Sequence, residues 1–278
     1  MSSSRWLRAS GQPAKIMGVL NCTPDSFSDG GRFVSGHLDT DAALDHALTM
    51  QRQGADIIDV GGESTRPGAE PVAGKQELAR VIPVIQALAA RDIPISIDTT
   101  KAEVMRQAIR AGATLVNDVS ALTFDAQALE TIADLGVPVV LMHALGDPKT
   151  MQDNPVYEDV QLDVFDYLEA RLEACVRAGI ARDKIIVDPG IGFGKTLEHN
   201  LDLIRGLSLL HGLGVPILFG ASRKRFIGTL TGVETSGERV SGSVGAALAA
   251  VAQGAQIVRV HDVAATRQAL EVWCATHG

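Results

Sequence analysis

Eight short apolar runs recur along the chain, at residues 16–20, 57–60, 93–97, 114–116, 137–142, 185–187, 215–219 and 257–260. They are β-branched or leucine-rich and lack strict alternation, as strands covered on both faces do. Pro94, Pro138 and Pro216 stand at strand entries, where a missing N–H is tolerated. Amphipathic segments separate the runs, at 76–90, 101–110, 127–135, 159–178, 199–210, 239–253 and 264–273. In the second of these, Val104, Met105, Ala108 and Ile109 share one face, and Thr100 with Glu103 reads as a capping box. Turn glycines precede the next run at Gly54, Gly112, Gly136, Gly179 and Gly254. Eight strand–helix units without a break in composition predict an α/β fold, a single (β/α)8 barrel. A doubly wound open sheet is the competing arrangement. A length of 278 residues suits one such barrel. The expected division is a short, flexible extension over 1–14 and a catalytic barrel over 15–278.

Composition narrows the class of function. Hydrophobic residues make up 46% of the chain, enough for a large core. The net charge of −8 lacks the basic balance of a nucleic-acid binder, so an anionic substrate must meet local positive groups. Cys22, Cys175 and Cys274 are scattered, with no CxxC pair, and read as reduced thiols of a cytoplasmic protein. Asn21-Cys22-Thr23 matches a glycosylation sequon, but no secretory signal accompanies it. The most apolar segment, 244–252, is too short to span a bilayer, so no membrane partner is expected.

The residues just after each apolar run are more informative. The runs lead into Asn21, Glu63 to Arg66, Asp98, Asn117-Asp118, Met142-His143, Asp188 and Ser222-Arg223-Lys224. The last carries Arg259, then His261-Asp262. In a barrel these positions converge at one mouth, where barrel enzymes build active sites. Taken singly, most have a plainer reading. Asp98 can cap a helix, although Thr100 is the better cap; Asn117 can be a turn residue; Lys224 and Arg66 can be solvated charges; His261 can complete a hydrogen-bond network. Arg259 interrupts an apolar strand and must point into the mouth or pair with an acid. Together, two carboxylates and an asparagine can read a flat heterocycle with several N–H donors and a carbonyl. Arg66, Arg259 and His261 can meet a phosphate-bearing group. Asn21 with nearby acids can hold Mg²⁺. The long connections 21–39, 61–74 and 143–158 all leave strand ends. The glycine-rich stretch 190–196 looks like a phosphate-cradling loop, but its spacing fits neither the P-loop nor the dinucleotide fingerprint. A tight, exposed turn beside the mouth is expected instead.

Seven motifs carry a family resemblance: GVLNCTPDSFSDGG at 18–31, IDVGGESTRPG at 58–68, SIDT at 96–99, VND at 116–118, VDPG at 187–190, SRKRFIG at 222–228 and RVHD at 259–262. In this order, from about residue 16 to 273, the chain resembles the dihydropteroate synthase family of pterin-binding barrels. The resemblance implies joining of a dihydropterin pyrophosphate to para-aminobenzoate in a Mg²⁺-dependent, homodimeric, cytoplasmic enzyme that is a sulfonamide target. It implies that Asp98, Asn117, Asp188, Lys224, Arg259 and Met142 bind the pterin. Asn21, Thr65, Arg66, Arg259 and His261 would surround the pyrophosphate, with Asn21 placing the metal. Phe27, Thr65, Pro67, Phe193, Lys224 and Arg225 would surround para-aminobenzoate. Asp98, Lys224, Arg259 and His261 would carry catalysis. The stretch after His143, Ala144-Leu145, departs from the family's more usual Met-Gln.

Two further functions fit a pterin pocket: methyl transfer from a folate to a corrinoid, and pterin binding without catalysis. The methyltransferase needs neither the Ser222-Arg223-Lys224 segment, the Thr65-Arg66-Pro67 loop nor the Arg259-to-His261 anion site, and a binder need not keep the leaving-group residues. A nucleotide enzyme is disfavoured by the failed P-loop. The small-residue helix at 241–252 suits either close packing between subunits or the barrel wall.

Overall fold

A computed structural model describes residues 13–23, 40–64, 71–146, 151 and 154–277. Eight parallel strands are ordered β6-β5-β4-β3-β2-β1-β8-β7. They are β1 (Lys15–Asn21), β2 (Ile57–Gly61), β3 (Ile95–Asp98), β4 (Leu115–Asp118), β5 (Val139–Met142), β6 (Ile185–Asp188), β7 (Leu218–Phe219) and β8 (Ile257–Val260). A parallel bridge from Val187 to Ile217 brings the two ends of this order together, so the sheet is a nearly closed barrel. The helices are α1 (Thr40–Arg52), α2 (Gly74–Ala89), α3 (Ala102–Ala111), α4 (Ala128–Leu135), α5 (Val160–Arg177), α6 (Leu197–Arg205), α7 (Arg225–Thr231), α8 (Val240–Ala252) and α9 (Val263–His277).

Two cores result. The larger lies between strands and helices, and a smaller one of Met17, Ile57, Leu115, Val140, Ile186, Leu218 and Ile257 fills the barrel. Strand side chains alternate between faces. The residue two places beyond each inner plug residue therefore points inward again, one layer nearer the mouth. Ile57 leads to Asp59, Leu115 to Asn117, Val140 to Met142, Ile186 to Asp188 and Ile257 to Arg259. The apolar plug thus sets the register of a polar layer above it.

The five turn glycines all take positive φ, from +59° at Gly136 to +120° at Gly112. The capping box at Thr100 does not form. Lys101 is the N-cap of α3 and makes no side-chain cap, while the Ala102 N–H donates to Asp125 Oδ2 at 2.9 Å. Segment 199–210 divides into α6 and a 3-10 turn at Leu207–Leu213, separated by Gly206. Helix α1 carries no clear mark in the sequence pattern because its buried face, Ala43, Ala47 and Met50, is mostly small side chains. Residues 1–12 lie outside the described residues, and β1 begins at Lys15. Among the described residues no helix is long and apolar enough to cross a membrane. Buried on α8 are Ser243, Ala247, Ala250 and Val251.

Candidate active site

The polar layer is organised by one cation. Arg259 donates through Nη2 to Asp98 Oδ2 at 2.7 Å and through Nε to Asp59 Oδ2 at 2.6 Å. Asn117 Nδ2 donates to the same Asp59 oxygen at 3.1 Å. Asp59 is fully buried, and its Oδ1 has no hydrogen-bond partner among the described residues. Burial raises the Asp98 carboxyl to about 7; Arg259 opposes the rise and the Asp59 charge adds to it. Burial also works against the guanidinium, but Asp59 and Asp98 outweigh it and hold the Arg259 pKa above its ordinary value. Asp98 is therefore no helix cap. Its carboxylate faces the mouth, paired to β8.

Asp188 ends β6, and its Oδ1 accepts the Gly190 N–H at 2.7 Å. Burial raises its pKa, and the nearby Lys224 ammonium opposes the rise. Lys224 reaches inward, donates to the Ile191 carbonyl, and sits 4.6 Å from the centre of the Phe193 ring. Burial lowers its pKa to about 8, while Asp188 holds it up. Taken singly, Lys224 reads as a solvated loop lysine; in the structure its ammonium is packed into the wall of the mouth. The segment around it is tightly bound. Ser222 Oγ accepts the His261 N–H at 3.1 Å and lies 3.0 Å from His261 Nδ1. Arg223, in a left-handed turn at φ +60°, pairs with Asp262 at 2.5 Å. Arg225 begins α7 and is exposed.

Met142 is buried at the end of β5, and Asn21 is half-buried at the end of β1, paired in register with Gly61. Phe27, Thr65, Arg66 and Pro67 lie outside the described residues. The turn at 190–195 is tight, with φ of +68°, +83° and +63° at Gly190, Gly192 and Gly194. It is not exposed as expected: Ile191 and Lys195 are buried. The Lys195 ammonium is turned onto His143 Nδ1 and the Phe193 carbonyl, which is the physical reason that the turn is packed in.

Residues 17–261 match the model of a family described as pterin binding enzyme. Dihydropteroate synthase of Escherichia coli K12 is 50% identical over 262 residues, covering 94% of this chain and 91% of that protein. The solved structure of Xanthomonas albilineans dihydropteroate synthase with 4-aminobenzoic acid is 50% identical and superimposes with a TM-score of 0.90, covering 96% of this chain and 94% of that one. A structure of the Xanthomonas enzyme in complex with 7,8-dihydropteroate is 46% identical, has a TM-score of 0.87, and covers 97% and 96% of the two chains. The chain belongs to the dihydropteroate synthase family of pterin-binding enzymes.

Sequence reasoning missed two residues of this dihydropteroate synthase fold. Asp59 stands in an apolar strand two places after a plug residue, the same signal that singles out Arg259. Lys195 lies within the glycine-rich stretch, but its His143 partner comes from another loop, which no local pattern reports. A metal tests the donor set further. Among the described residues no group of three or more His, Cys, Asp and Glu side chains could hold one. Asn21, facing the mouth by strand alternation from Met17, offers a single amide oxygen. That fits Mg²⁺ bound mainly through substrate phosphate and water, and not a cage made by the protein. Cys22 and Cys175 are buried thiols outside any disulfide.

Proposed function

We infer that the chain condenses 6-hydroxymethyl-7,8-dihydropterin pyrophosphate with para-aminobenzoate to give 7,8-dihydropteroate and pyrophosphate. The observation that carries this reading is the ring of Asp98, Asn117, Asp188, Arg259 and Lys224 at one mouth, in a chain 50% identical to dihydropteroate synthases. Asp98 and Asp188 accept from the N–H groups of the pterin edge. Asn117 donates to Asp59, which leaves its amide oxygen for the ring. Lys224 reaches the ring carbonyl or nitrogen, and Met142 packs beneath it. Arg259, fixed by its two carboxylates, stacks on the pterin.

The C–O bond to pyrophosphate breaks first, and the leaving oxygen takes the electron pair. The electron-rich ring spreads the methylene cation charge, and the Asp98 carboxylate stabilises it. Arg259 and His261 meet the departing charge, together with Asn21, Thr65 and Arg66 from the first two loops. The arylamine nitrogen then attacks the methylene, and the surplus proton of the resulting ammonium passes to solvent. No strong general base is needed, because the arylamine is neutral at pH 7. Phe193, Lys224 and Arg225 line its approach, with Phe27, Thr65 and Pro67. When bound, Mg²⁺ held through Asn21 would neutralise pyrophosphate oxygens. Magnesium, a homodimer and a cytoplasmic location belong to this reading and rest on the family resemblance alone.

The test mixes purified protein with the pterin pyrophosphate, para-aminobenzoate and Mg²⁺. The expected products are dihydropteroate and pyrophosphate in equal amounts. A methyl transfer that depends on a corrinoid, with neither product formed, would replace this reading with the methyltransferase one.

A further inference from the structure

The turn at 190–196 is held from outside by side chains that the reaction does not use. Lys195 Nζ lies 2.9 Å from His143 Nδ1 and donates to the Phe193 carbonyl at 3.0 Å. The Tyr157 hydroxyl donates to the Gly194 carbonyl at 2.7 Å. Asn200, in the first turn of α6, accepts the Gly192 N–H at 2.6 Å and donates to the Thr196 carbonyl at 2.6 Å. From the inner side, Lys224 takes the Ile191 carbonyl and carries the Phe193 ring against its ammonium. The turn is thus gripped on both faces. The floor beneath it is rigid as well: a Cβ at Gly190 would lie 1.8 Å from the His143 carbonyl oxygen.

Lys195 is the unusual member. It is 3% exposed, and the groups it bonds are neutral, a ring nitrogen and a carbonyl. A buried ammonium whose hydrogen bonds go only to neutral groups is costly, with the nearby Asp188 charge opposing the cost, and packing alone favours an apolar side chain there. Burial accordingly lowers its pKa to about 7, and burial with the neighbouring Lys195 charge takes His143 down to about 3, so the His143 ring is neutral. Both hydrogen bonds survive in either state of the lysine, since an amine retains two N–H groups.

We propose that Lys195, braced by His143 and Tyr157, is a positioning residue that fixes the plane of the Phe193 ring and the Ile191 carbonyl, and so shapes the arylamine half of the site. The proposal rests on the reading that Phe193 and Lys224 face para-aminobenzoate. Lys195 touches no substrate. It acts through the turn, on one face of which Phe193 and Lys224 meet. Of the groups that read the pterin, Asp98 and Asn117 stand on other strands, while Asp188 is fixed at the end of β6 and Lys224 by the loop after β7, so loss of the clasp should disturb the pterin less than the arylamine.

Lys195→Met keeps the length of the side chain and removes its donor. Tyr157→Phe removes one hydroxyl from a half-buried ring and guards against a folding failure of the first variant. In each, KM for para-aminobenzoate should rise about tenfold, the loss of one or two buried hydrogen bonds. KM for the pterin pyrophosphate and kcat should stay within about twofold. Phe193→Leu is run beside them. If Phe193→Leu leaves KM for para-aminobenzoate unchanged, the underlying reading of the site is wrong. If it raises that KM while both clasp variants leave it alone, the clasp proposal is overturned and the site reading stands. A parallel rise in both KM values with a collapse in melting temperature would also overturn it, since that marks general destabilisation.

Discussion

Arg259 links two acids from neighbouring strands, and this makes Asp98 a residue whose charge matters twice. With its pKa raised to about 7, mainly by burial, Asp98 gains a proton as pH falls through that value. A neutral carboxyl cannot stabilise positive charge on the pterin, so kcat/KM should fall on the acid side of about pH 7. The stability linkage runs the other way. A carboxyl with a raised folded-state pKa favours folding most below its unfolded value, and that contribution is lost as pH rises through about 7. Asp98→Asn should remove both trends. It should also weaken binding of the pterin pyrophosphate about 10- to 100-fold, since a hydrogen bond to a charged group is worth roughly 1.5–3 kcal/mol. Titration calorimetry and a pH–rate profile measure these; an acid limb that persists in the variant would belong to another group. Lys224→Ala should lower kcat/KM by orders of magnitude. Because the lysine also holds the Ile191 carbonyl, the melting temperature should drop as well, by about 2–4 °C for a lost bond of about 1 kcal/mol. A collapse in melting temperature, with the surviving folded fraction fully active, would assign Lys224 to structure alone.

At the scale of elements, the turn after β6 behaves unlike the turn after α5, although both contain glycine at positive φ. Gly179, at φ +95°, has nothing within 4 Å of an added Cβ. Gly190, at φ +68°, would set its Cβ 1.8 Å from backbone. Gly179→Ala should therefore cost about 1–2 kcal/mol from the backbone conformation alone. Gly190→Ala should exceed that in a urea melt and abolish activity, because His143 and the turn cannot both keep their places. Similar midpoints for the two variants would mean that the contact relaxes freely. Much of this architecture is written in the sequence. Apolar runs covered on both faces predict the strands, and the five turn glycines mark the ends of helices. The mouth acids are legible because polar residues come directly after buried runs. Asp59 interrupts an apolar run as Arg259 does, but which face it takes is clear only once the barrel's inner register is known. Lys195 is unreadable for a different reason. Its partner arrives from the loop after β5, 52 residues away, and no local pattern reports that meeting.

For the whole molecule, the consequence of the strand order is a seam. Strands β1 and β2 pair over five residues, from Met17 with Ile57 to Asn21 with Gly61. Between β6 and β7, among the described residues, the bridge at Val187 and Ile217 is the only pairing, with the Val187 N–H donating to the Pro216 carbonyl at 3.0 Å. Strand β7 itself is two residues long. A junction with so few bonds should open at lower free energy than the rest of the barrel. The site lies across it: Asp188 ends β6, while Lys224 comes after β7 and Arg259 belongs to β8. A pterin held by Asp188 on one side and by Lys224 and Arg259 on the other would bind the closed junction and not the open one. Ligand that binds only one state stabilises it by mass action, by about 2.7 kcal/mol at a hundred times Kd. Amide exchange at Val187 should therefore be faster than at Val19 in the free protein, and should slow about a hundredfold with saturating pterin pyrophosphate. Val19, in register with Asp59 within the five-residue β1–β2 pairing, should change little. Equal exchange at both positions without ligand would mean that the barrel opens only as a unit, and the site would then have no part in closing it.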